Sequence, residues 1–119
     1  NALAGGVLAG RYTRGAPPPA DSRLGSNTMY QRRYGSERLF DYAEELGALA
    51  RAEGMELVTL AYAWLASRPG VDSILLGPGS VEHLDAALEA RARPLPPELL
   101  ARLDALHLAF LGTDAPYAR

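Results

Sequence analysis

One short run, VDSILLG at residues 71–77, constrains the fold more than any other. It is apolar towards its end, bounded by glycine, and set among segments of helical period. Such a run suits a strand buried on both faces of a parallel sheet. That strand needs neighbours to take up its backbone N–H and C=O groups. The rest of the sequence offers at most a stub at residues 1–4. The expected fold class is therefore α/β, with the chain forming a C-terminal portion whose other strands are encoded elsewhere.

Four helices surround that run in the expected order. Ser36 reads as an N-cap, with Glu37 in the first turn where the helix dipole favours an anion. Leu39, Tyr42, Leu46 and Leu49 then form one apolar stripe, opposite Asp41, Glu44, Glu45 and Arg51, and Gly54 is the natural stop. The second helix spans about 57–67, with Leu57, Leu60, Ala61, Trp64 and Leu65 inward and Pro69-Gly70 ending it. A third begins at Ser80 with Val81, Leu84 and Leu88. A fourth opens on Pro96-Pro97-Glu98 and turns Leu99, Leu103, Leu106 and Phe110 inward. Trp64 is expected in the core and His107 reads as structural.

Residues 13–35 read as a long loop. Pro17, Pro18 and Pro19 make a stiff extended spacer, while NTMYQRRY holds aromatic and arginine side chains. Loops this long inside a compact domain are usually functional or disordered. Arg32 and Arg33 are either solvated loop charges or a fork for a carboxylate, which a guanidinium meets with two parallel hydrogen bonds.

The opening NALAGGVLAGRY admits three readings: a signal peptide, a phosphate-cradling loop, or the cut edge of something larger. It lacks a basic n-region, which argues against the first. The chain has 119 residues, 48% hydrophobic and 22% charged, which suits one globular domain over 1–119. Net charge is −2, too weak a field to favour nucleic acid. No apolar run approaches the roughly 18 residues that span a membrane, and the cytoplasm is the default expectation. There is no Cys, hence no disulfide framework and no thiolate metal site. His83 and His107 are too far apart for a metal motif. All 12 basic residues are arginine.

Gly77-Pro78-Gly79-Ser80 joins the candidate strand to the third helix. A helix N-terminus presents free N–H groups and a positive dipole end to an anion. The spacing is neither GxGxxG nor a Walker loop. It fits a plain strand-to-helix turn with a serine cap, or a phosphate site.

Taken in order, NALAGGVLAGRY, SRLGSNTMYQRRY, YAWLASRPGVDSILLGPGSVEHLDAAL and the tail resemble the C-terminal part of an aldo-keto reductase. The family commonly reads Asn-Pro-Leu-Ala-Gly-Gly-Leu-Leu-Thr-Gly-Lys-Tyr at the first place. Later it reads Leu-x-Trp, a short strand, and Gly-x-Ser-Ser-x-x-Gln-Leu-x-x-Asn-Leu. MYQRRY is similar to Met-Tyr-x-x-Arg-Tyr of the aflatoxin-aldehyde and succinic-semialdehyde reductase branch, and Pro-Tyr-x-Arg to that branch's Pro-x-Tyr-x-Arg ending.

The resemblance implies a (β/α)8 TIM barrel, mostly helical within this portion, with its site at the C-terminal ends of the strands. Residues 1–11 would follow strand seven, and Ile74 to Leu76 would be strand eight. It implies hydride transfer from NADPH to an aldehyde or ketone. Asn1, Leu3, Gly5 and Arg11 would line the nicotinamide and pyrophosphate side, and Arg23 would reach the cofactor from the loop. Gly77, Gly79, Ser80 and His83 would hold the 2′-phosphate end. Tyr30, Arg33 and Arg119 would lie near a small carbonyl substrate bearing a carboxylate, and the full-length protein would form a homodimer.

Three positions depart from the family pattern: Ala2 for Pro, Gly79 for the first Ser of its pair, and Ala87 for the Asn that contacts adenine. The family's catalytic Asp, Tyr, Lys and His have no match, and this chain has no Lys at all. These residues by themselves are expected to be inactive. The alternative is a non-catalytic nucleotide-binding or self-associating half-barrel module, including a role like that of a channel β-subunit.

Overall fold

The computed structural model describes residues 1–112. It opens with 3-10 turns over Ala4–Ala9, followed by α1 (Arg23–Ser26), α2 (Thr28–Tyr34), α3 (Glu37–Ala52), α4 (Leu57–Ala66), α5 (Val81–Ala92) and α6 (Pro97–Leu111). There is no strand among the described residues.

Local chemistry explains where the helices start. Ser36 Oγ accepts from Leu39 N at 3.3 Å and opens α3, and Ser80 Oγ accepts from His83 N at 3.3 Å and opens α5. Pro97 occupies the first turn of α6, where its missing N–H costs nothing. Arg93 closes the far end of α3, donating to the carbonyls of Glu53 at 2.9 Å and Gly54 at 3.2 Å.

The segment 13–35 is less plain than a loop. Ser22 Oγ accepts from Gly25 N at 3.0 Å, and Asn27 Oδ1 accepts from Met29 N at 2.9 Å and Tyr30 N at 3.3 Å. These two caps seed α1 and α2, elements too short for a hydrophobic period to reveal.

The core runs through α3, α4, α5 and α6. Leu46, Leu49 and Ala50 meet Leu60, Tyr62 and Ala63, then Ala87 and Ala90, then Leu99 and Leu103. A smaller cluster of Val7, Leu39 and Ala43 seats the opening turns on α3. Thr59, 1% exposed, donates to the Ala86 carbonyl at 3.4 Å and ties α4 to α5.

Three expectations are corrected. Ile74 to Leu76 is not a strand: Ile74 and Leu76 pack against the core while Leu75 is 98% exposed. A strand exists only through ladder bonds to a neighbour, and no ladder forms among the described residues. The stub at 1–4 is likewise a turn leading into the 3-10 segment, because Ala4, Gly5 and Gly6 all have positive φ (47, 70 and 104°). The inward face of α5 also differs from its apolar stripe. On α5, Ala87 and Ala90 are buried while Val81 and Leu88 point outward. Small side chains let α5 approach α4 closely, and the bulky ones are left on the far side. On α4, Leu60 is buried together with Thr59, Tyr62 and Ala63. Leu57, Ala61, Trp64 and Leu65 are partly buried: Leu57 and Trp64 pack against the core, and all four, with Leu60, line a cavity of about 380 Å³.

Trp64 is only half-buried, and its indole N–H donates to Asp104 Oδ1 at 2.8 Å. Arg68 reaches the same oxygen at 2.8 Å and lies over the indole at 4.6 Å. The Trp64 and Arg68 hydrogen bonds hold the Asp104 carboxyl below its ordinary range. A lowered carboxyl stabilises the fold above the ordinary carboxylate range and loses that contribution as pH falls through the folded value. Asp104→Asn is expected to cost about 1 kcal/mol near neutrality, measured by urea denaturation. The gap should narrow as pH falls below the ordinary carboxylate range, and a gap that does not change there contradicts the assignment.

Candidate dinucleotide-binding site

The opening turns, the start of α1 and the segment leading into α5 converge on one cavity of about 340 Å³. Asn1, Leu3, Gly5 and Arg11 line it from the first, Arg23 from the second, and Gly77, Gly79 and His83 from the third. Residues far apart in sequence thus share one wall. Ser80 stands just outside the lining, where it caps α5. Arg33 lines the separate cavity between α3, α4 and α6, and Tyr30 packs against the opening turn. Arg119 lies outside the described residues.

The lining carries two guanidinium groups, an imidazole and no carboxylate. Beside it lies the N-terminal end of α5, a helix of 12 residues with its dipole aimed outward. A β-carbon at Gly77 would meet nothing within 4 Å, and one at Gly79 would meet only the His83 ring at 3.6 Å, so the backbone there faces open space. This donor set suits a ligand carrying several phosphates. One acid sits close by. The Glu82 carboxylate is held below its ordinary range by its own backbone N–H and by the Ser80 hydroxyl. A phosphate arriving at α5 therefore competes with an anion already on the same donors.

Sequence reasoning missed Tyr12 and Tyr62, both of which line the cavity. Tyr12 also bridges back, its hydroxyl donating to the Gly5 carbonyl at 3.5 Å. The only signal for it was its place directly after Arg11. Ala87 sits on the wall where the resemblance leads one to expect an asparagine.

No helix among the described residues is long and apolar enough to cross a membrane, and no cluster of His, Asp and Glu there could hold a metal ion. Residues 1–107 match the model of the aldo/keto reductase family. The chain belongs to that family. Among its curated relatives, protein tas of Escherichia coli (strain K12) is 31% identical over 107 residues, covering 88% of this chain and 30% of that protein. Protein tas of Shigella flexneri matches to the same extent. A probable voltage-gated potassium channel subunit beta of Arabidopsis thaliana is 37% identical over 78 residues, 63% of this chain and 23% of that protein. The chain thus spans less than a third of the length of these relatives.

Proposed function

We propose that this chain forms the dinucleotide-holding part of an NADPH-dependent aldo-keto reductase that reduces aldehydes or ketones to alcohols. One observation carries the reading: eight residues assigned to the cofactor on the family pattern line a single cavity that contains arginines and no acid. Arg11 and Arg23 would hold the pyrophosphate. Gly77, Gly79, Ser80 and His83 would hold the 2′-phosphate at the start of α5. Bound there, the dinucleotide supplies the hydride. The chain's own residues bind and orient it, and no lysine of this chain is available to lower the pKa of a proton-donating tyrosine. The family's acid–base residues would come from the remainder of the barrel.

Titration calorimetry with NADPH and NADH tests the assignment. NADPH is expected to bind about tenfold tighter, the worth of one charge-assisted phosphate contact. Equal affinities would remove the 2′-phosphate role from Ser80 and His83.

A further inference from the structure

We propose that Tyr30 is a positioning residue, whose ring holds Arg23 and the Gly5 turn together at the wall of the cavity, and not a group that touches substrate. The proposal rests on the dinucleotide reading of that cavity.

Tyr30 enters the first turn of α2, fixed by the Asn27 side chain. The Arg23 guanidinium carbon lies 5.9 Å from the centre of its ring, within the range of a cation–π contact. The ring edge faces the opening turn. A β-carbon at Gly5 would fall 2.9 Å from Tyr30 Cδ1 and 2.8 Å from Tyr34 Cδ2. Tyr34 braces Tyr30 from the side, with ring centroids 5.6 Å apart and planes tilted by 55°. Gly5 has φ of +70°, so only glycine meets both the backbone and the space requirement without strain. Arg23 and Gly5 both line the cavity, while Tyr30 itself does not.

Every one of these contacts is made by the ring face or its carbon edge. The hydroxyl takes no part in them. A substrate role would use the hydroxyl as a donor, so the two roles separate cleanly. Phenylalanine should preserve positioning and remove a substrate contact. Leucine should remove both.

Two measurements on the chain test this: amide hydrogen exchange over residues 3–9 without ligand, and NADPH affinity by calorimetry. Tyr30→Leu is expected to speed exchange there about tenfold and to weaken NADPH about fivefold, the scale of a lost cation–π and packing contact. Tyr30→Phe should leave both within about twofold. Arg23→Ala combined with Tyr30→Leu should weaken NADPH by less than the product of the single effects, because each removes the same contact. Equal effects of phenylalanine and leucine would overturn the proposal, as would unchanged exchange in Tyr30→Leu. Faster exchange in Tyr30→Leu alone, with no dinucleotide bound by any form, would support the hold on the turn and overturn the dinucleotide reading.

Discussion

Leu60→Ala is expected to be the most destabilising truncation in this chain, at about 3 kcal/mol. Leu60 is 1% exposed and sits where α3, α4 and α6 meet. Its methyl groups also form part of the wall of the apolar cavity, so truncation enlarges a space that already exists. Neighbours that do not pack tightly across that space cannot collapse into it fully. Against a total stability on the order of 10 kcal/mol, the loss should lower the melting temperature by about 10 °C. Circular dichroism through thermal and urea unfolding reads both quantities. A shift worth less than about 1 kcal/mol would mean that Leu60 is not the keystone of this core.

Reversing the charge of Arg11 and Arg23 together is expected to have the largest effect on ligand affinity. Both are exposed on their backbone turns yet line the same cavity. Each guanidinium offers a pair of charge-assisted donors to a phosphate, at roughly 1.5–3 kcal/mol per contact. Arg11→Glu with Arg23→Glu removes both and adds repulsion. NADPH affinity should fall at least about a hundredfold, with helix content unchanged. The loss should be smaller for NADH only if one of these arginines reaches the 2′-phosphate. Unaltered NADPH affinity would place the ligand elsewhere.

The sequence made the helices legible because their apolar residues recur at helical spacing and their ends carry recognisable caps. Leu39, Leu46 and Leu49 on α3 and Leu99 and Leu103 on α6 are buried as their spacing demands. What period cannot report is which neighbour a face will meet. Leu57, Ala61, Trp64 and Leu65 form a proper stripe and are partly buried, Leu57 and Trp64 against the core itself, yet all four also border a cavity. On α5, Val81 and Leu88 face outward, because Ala87 and Ala90 make the closer contact. Strand character at Ile74 to Leu76 is read from a short apolar, glycine-bounded run and from the family pattern, whereas a strand is a property of a pair. The candidate site was legible only through motif order. Nothing in the spacing of Asn1, Arg23 and Gly79 says that three separate segments form one wall. The partnership of Tyr30 with Arg23 and Gly5 is tertiary and left no local trace.

Trp64 is the sole tryptophan of the chain, and it stands at the junction of α4 with α6. Its indole touches a carboxylate, a guanidinium and, at 5.1 Å between ring centres, the His107 imidazole. Its emission is therefore a built-in gauge of whether the last helix is docked. If α6 peels away as a separate cooperative unit, the colour of that fluorescence will change before the bulk of the helical signal is lost.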